Sequence, residues 1–277
     1  MSFKAVAWML LAATAFTTVL LFNYWAAYQL LSTLAYSGIV LALGGLANLL
    51  LPFRFLGVRK RAVGALVLAG GVALALAALF WPASMIRVAQ PMTRLDEIVP
   101  EYQFFEKHST RIHARPEQVM EAIRQSTFGD LTSLVTLLKI RGAVLRTPFH
   151  DADDLQSKRV LDAFSASGYL VGGSEHEVVM FGVWNVQANR HPEVHTLQEF
   201  VDYREQGAVK TAFDFNVEDT GGGWSTISTE TRVAALGGVS RGMARYWRLI
   251  VPGSGLLRLQ WLEGIKKRAE SMPNLPS

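Results

Sequence analysis

Acidic residues are missing from the front of this chain; the first is Asp96. Across residues 1–90 the only charges are Lys4, Arg54, Arg59, Lys60, Arg61 and Arg87, so this part carries +6. The remainder holds 21 basic and 23 acidic residues and carries −2. The overall charge of +4 therefore comes from the apolar front, and the rest lacks the basic surface that nucleic-acid binding requires. Cysteine is absent altogether, which excludes disulfides, thiolate nucleophiles and cysteine-based zinc sites. The long apolar runs contain no ionisable groups of the kind that mark ion or substrate pathways, which argues against a transporter or channel.

What the front does contain is three apolar runs, at about residues 5–31, 34–52 and 62–81. Each is near the roughly 20 residues that cross a bilayer. The first is too long for an ordinary signal-peptide core and is followed at once by another run. Between the second and third lies Phe53–Arg61, with four basic residues, whereas the connection around Tyr28–Thr33 has none. Positive loops stay in the cytoplasm. This predicts an integral inner (plasma) membrane protein with a cytoplasmic amino terminus and everything after Trp81 outside the cytoplasm. Tyr24, Trp25, Tyr28, Phe80 and Trp81 would then form the outer aromatic belt. Small residues at Gly38 and Ala42, and at Ala65, Ala69, Ala73 and Ala77 near Gly64, Gly70 and Gly71, predict close helix packing. The membrane bilayer is thus the first expected partner.

Residues 86–100, with Pro91 and Pro100, read as a linker. From there to residue 272 the pattern is α+β. Strands are predicted at 102–113, 143–147, 169–171, 177–186, 208–217 and 225–235. Helices are predicted at 117–125 behind Pro116, at 130–140 and at 151–166. Gly221-Gly222-Gly223 predicts a hairpin turn. Ser240 to about Ser271 reads as a long amphipathic helix, kinked or broken at Pro252-Gly253.

Particular residues add a resemblance. His108-Ser-Thr-Arg-Ile-His-Ala-Arg-Pro-Glu-Gln-Val119 is similar to the opening strand and helix of the SRPBCC superfamily, which includes START, Bet v 1 and polyketide-cyclase proteins. Thr229-Glu-Thr-Arg-Val233, Arg245-Tyr-Trp247 and Val251-Pro-Gly-Ser254 look like its closing strand and helix. The resemblance covers about residues 101–272 and implies a helix-grip fold, in which a curved antiparallel sheet wraps a long carboxy-terminal helix around a cavity for an apolar ligand. It implies no particular reaction and no cofactor.

Alternation along the first strand places Phe104, Glu106, His108, Thr110 and Ile112 on one face. An inward Glu106–His108 pair could orient a polar ligand group or transfer a proton, with Glu230 or Arg232 as neighbours. Trp184, Phe213, Tyr246 and Trp247 are candidate cavity-lining residues, beside core positions Met180 and Trp261. Gly238-Val-Ser-Arg-Gly242 has nucleophile-elbow spacing, but no histidine follows it, and Ser240 serves better as a helix cap. His191-Pro-Glu-Val-His195 has zinc-compatible spacing on a polar loop, where surface histidines are the ordinary reading. His150-Asp-Ala-Asp-Asp154 reads as an acidic helix start. No metal site is expected. The leading expectation is a membrane-anchored module that binds a hydrophobic small molecule or lipid. The alternatives are an enzyme of the same fold that uses His108 and Glu106 for cyclisation, dehydration or hydrolysis, and an assembly partner whose core is filled by its own side chains.

Overall fold

The computed structural model describes residues 18–19, 21–24, 29–50, 61–145 and 155–273. The chain divides into two compact units. One joins the front end, to Pro82, with Arg241–Ser254; the other comprises Ala83–Ser240 and Gly255–Ser277.

In the first unit, helices α1 (Leu30–Leu50) and α2 (Arg61–Phe80) are each long and apolar enough to cross a bilayer. They pack through glycine. Gly38 and Gly45 of α1 face Gly71 and Gly64 of α2, and a Cβ on any of the four would come within 3.0 Å of the other helix. The seven-residue spacing repeats the contact along both helices, because seven residues are close to two helical turns. The alanine stripe expected at Ala65, Ala69, Ala73 and Ala77 faces outward; the buried positions of α2 are Gly64, Gly71, Ala75 and Ala78. Leu43, Leu46, Leu66 and Leu76 are exposed. The first predicted run and the basic loop Phe53–Lys60 lie mostly or wholly outside the described residues, although 21–24 are helical.

The second unit is α+β. Its main sheet is antiparallel and contains β3 (Phe104–Ile112), β4 (Leu170–Gly173), β5 (Glu177–Asn185), β6 (Ala208–Gly221) and β7 (Trp224–Ala235), in the spatial order β3-β7-β6-β5-β4. A two-residue turn joins β6 to β7. Gly222 and Gly223 have φ of +64° and +78°, which a tight hairpin of matching twist requires. Between β3 and β4 lie helices α4 (Pro116–Gln125), α5 (Leu134–Leu145) and α6 (Val160–Ala166); α7 (Leu197–Asp202) precedes β6, and α8 (Ser240–Ser271) ends the fold.

Both faces of this sheet are covered. The inner face presents Ile112, Met180, Phe213, Phe215, Val217 and Ile227 to α4 and to Trp261, Leu262, Ile265 and Ala269 of α8. The back face presents Val179, Phe181, Val183, Ala212 and Ala234 to Leu95, Ile98, Val99 and Phe200. Three of these last four belong to residues 86–100, which are not a bare spacer, contrary to expectation. The segment forms β1 (Ile86–Arg87), paired with β2 (Glu101–Tyr102), and helix α3 (Arg94–Ile98). A Thr93–Asp96 capping box fixes the start of α3.

Four further expectations change. The helix expected at 151–166 is interrupted by a turn at 156–158 and a bridge from Arg159 to Thr127, and runs as α6 only from Val160. Residue 143 is helical, so no strand begins there; 146–150 lie outside the described residues. Helix α8 runs unbroken through Pro252. Ser240 is the first residue of α8, and the cap position is Val239, which makes no side-chain cap bond; Gly237, at φ +69°, makes the turn before it.

Candidate functional site

The alternation of β3 is borne out, since Glu106, His108 and Ile112 are buried while Phe105, Lys107 and Arg111 are exposed. His108 Nε2 lies 2.8 Å from Glu106 Oε1, with both side chains buried. The second oxygen, Glu106 Oε2, is buried with no hydrogen-bond partner among the described residues. Directly across the ladder, Glu106 pairs with Thr231 and His108 with Thr229, so the two threonines share their face.

Arg258 reaches this group from α8. Its Nη2 donates to Thr231 Oγ1 at 2.7 Å and its Nη1 to Thr229 Oγ1 at 3.3 Å. The guanidinium stacks over the Phe213 ring, 4.5 Å from its centroid, and 5.5 Å from that of Trp261. Burial lowers the Arg258 pKa, while the Glu106 and Asp214 carboxylates and Tyr169 oppose that shift. Tyr169 covers Gly182, where a Cβ would meet the ring at 3.1 Å. Chemically, the arrangement offers an imidazole–carboxylate pair able to hold or pass a proton, a cation, and two hydroxyls, set in an aromatic interior.

The back face carries a second polar group. Arg232 donates to Glu230 Oε1 at 2.6 Å and to Asp96 Oδ1 at 2.7 Å, and its guanidinium lies 4.6 Å from the Tyr102 ring centroid. Burial raises the Asp96 carboxyl, but the Met92 N–H, Arg232 and the Thr93 N–H together outweigh it and bring the pKa to about 2. Asp214 behaves oppositely. Burial pushes it up to about 7, and the nearby Glu230 and Glu177 carboxylates add to the shift, although the Glu230 N–H hydrogen bond works against it. Lys210, brought to about 8 mainly by burial, donates to the Val201 carbonyl of α7.

The candidate residues thus separate. Glu106, His108, Thr110 and Phe213 share the inner face. Glu230 and Arg232 do not neighbour the pair, because the strand residues opposite Glu106 and His108 are Thr231 and Thr229, and a one-residue step reverses the face. Trp184 is 39% exposed and stacks on His191 instead of lining an interior. Tyr246 and Trp247 belong to the first unit; Trp247 Nε1 donates to Gln29 Oε1 at 3.0 Å. Arg258 is absent from the candidates that the sequence suggests, although a signal exists. It is the lone charge in Gly255-Leu-Leu-Arg-Leu-Gln-Trp261, and it falls on the apolar stripe Val251, Gly255, Trp261, Leu262, Ile265.

Among the described residues no group of three or more metal-ligating side chains forms; His195 Nε2 lies 3.8 Å from Glu193, and the His195 backbone N–H donates to Glu199 Oε2 at 2.8 Å. His150–Asp154 lie outside them. One cavity of about 230 Å³ lies against α5, lined by Phe128, Leu131, Leu134 and Leu155; another, of about 210 Å³, is an open apolar groove on α1 and α2. Neither is at the Glu106–Arg258 group. No protein-family model, curated protein or solved structure matches this chain.

Proposed function

We propose that this chain is a membrane-anchored module whose second unit is an extracytoplasmic, SRPBCC-like helix-grip domain that holds a hydrophobic small molecule or lipid between sheet and last helix. The observation that carries the reading is that Glu106 and Arg258 share one apolar interior without forming an ion pair among the described residues. Opposite charges buried together for structure alone normally neutralise each other. Here the carboxylate keeps one oxygen unpartnered and the cation rests on hydroxyls and rings. A few convergent polar groups in an apolar surround suit a ligand with an apolar body and one polar end.

Support for the anchor comes from α1, α2 and their outward leucines. Support for the orientation comes from the basic Arg54–Arg61 loop at one end of the hairpin and the packing of Arg241–Ser254 at the other, against Gln29, Tyr36 and Leu79. Neither of the two cavities described above lies at Arg258, so on this reading a ligand reaches the polar group by displacing side chains around it.

The test is native mass spectrometry of the full chain after stripping with delipidating detergent. Wild type should retain a defined apolar molecule, and Arg258→Met should lose it. Recovery of empty wild-type protein from several expression hosts overturns the reading. That outcome would favour an assembly partner with a self-filled core, a reading supported by both cavities lying away from the polar group.

A further inference from the structure

The segment Arg241–Ser254 lies on the opening half of α8, yet it packs with the hairpin. Trp247 bonds Gln29 just ahead of α1. Arg248, itself buried, donates to the Leu79 carbonyl at 2.8 Å, one of the terminal carbonyls of α2 that has no helical donor. Tyr36 Oη donates to the Leu249 carbonyl at 2.6 Å. That carbonyl neighbours the one at Arg248, which loses its helical donor because Pro252 has no N–H. Of these contacts, the Arg248 bond supplies a donor to a helix-terminal oxygen that water would serve in an aqueous setting.

The outward side is mixed in a definite way. Leu249 is 40% exposed, and Phe80 and Trp81 are 62% and 61% exposed. Arg241 is exposed, and Arg245 lies 4.9 Å from the Phe80 ring centroid. From Thr231 to Leu262 the chain contains Arg232, Arg241, Arg245, Arg248 and Arg258 and no acid.

We propose that residues 241–254 form an interfacial helix in the outer-leaflet headgroup layer, with Leu249 against acyl chains and Arg241 and Arg245 binding anionic phospholipid phosphates. Three features converge on a bilayer as the occupant. Leu249, Phe80 and Trp81 are exposed apolar positions in the same unit as the outward leucines of α1 and α2. The charge is purely positive, which suits phosphate. The Arg248 partner of the helix-terminal Leu79 carbonyl is what backbone groups need where water is scarce. The inference rests on the membrane anchor of the proposed function, and extends it from the spans to the last helix.

Because the chain lacks cysteine, single cysteines can report depth. Spin labels at Leu43→Cys, Leu249→Cys and Asp219→Cys are compared in full-length protein in nanodiscs of phosphatidylcholine with phosphatidylglycerol. The label at 43 should be accessible to oxygen and shielded from a water-soluble nickel complex, the label at 219 the reverse, and the label at 249 should lie between them, measurably shallower than 43 and clearly more shielded from nickel than 219. If 249 matches 219 while 43 remains in lipid, the interfacial helix is wrong and the anchor stands. If 43 is also in water, the anchor falls with it. In parallel, Arg241→Gln with Arg245→Gln should reduce retained phosphatidylglycerol relative to phosphatidylcholine by about fivefold for each arginine. An unchanged ratio overturns the phosphate contacts.

Discussion

On the back of the sheet, Arg232 lies between Asp96 and Glu230 at ion-pair distance and ties helix α3 to strand β7. On the inner face, Arg258 and Glu106 each take other partners, a pair of threonine hydroxyls and an imidazole. One charge set therefore connects chain segments distant in sequence, and its energetic role is to keep each member paired. The other leaves a carboxylate oxygen unpartnered among the described residues, an arrangement that stability alone does not explain. The two faces show that buried charge is informative through its partners more than through its burial.

The comparison breaks most readily at Arg232. Arg232→Ala leaves Asp96 and Glu230 facing each other without their cation, and should cost about 3–5 kcal/mol. Urea denaturation of the full chain in detergent measures it, and a loss below about 1 kcal/mol would remove the clamp role.

Asp214 gives the next effect, through pH. Its pKa is pushed up to about 7 in the fold, against about 3.9 for an unfolded aspartate. The folded state therefore binds the proton more tightly. Its contribution is complete below about pH 4 and is lost as pH rises to about 7. Asp214→Asn should stabilise the protein at pH 8 by on the order of 2 kcal/mol and flatten the decline between pH 4 and 7. Asp96 has the opposite sign: its lowered pKa supports stability above about pH 4, lost as pH falls towards 2. An unaltered pH profile in Asp214→Asn would show that this carboxyl is not the source of the decline.

The inner face should respond differently when its charges are replaced together. Glu106→Leu, His108→Leu and Arg258→Met remove the polar set as a unit, and the expected result is a neutral change or a gain of about 1–2 kcal/mol. Retention of an apolar ligand should be lost in the same variant. A loss of stability as large as that of Arg232→Ala would make the two faces equivalent.

Much of this architecture is legible in the sequence alone. Period-two alternation fixes the faces of β3, because a buried strand face leaves only one register. The 3–4 spacing along α8 marks its apolar stripe, and the apolar runs mark α1 and α2. What stays hidden depends on pairing. Nothing local says that β3 lies beside β7, and that neighbour decides that Thr231, not Glu230, faces Glu106. Helix α3 spans only Arg94–Ile98 between two prolines, too short for a periodic signal, and it is held by Arg232 from a strand far along the chain. Small residues occur all around α2, so their spacing points to an alanine stripe, and only the partner helix selects the glycine seam instead.

The smallest effect tests where the strength of the back-face network resides. Lys107 Nζ also reaches Glu230, at 3.5 Å, but its side chain is 57% exposed. An exposed ammonium is solvated and screened, and holding a long side chain in place offsets most of the attraction. Lys107→Met should therefore change stability by less than about 0.5 kcal/mol. The same substitution leaves Glu230 bonded to Arg232, so no carboxylate is stranded. A loss comparable to that of Arg232→Ala would mean that Glu230 depends on the rim cation, and the network would then be a surface cluster instead of a buried clamp on α3.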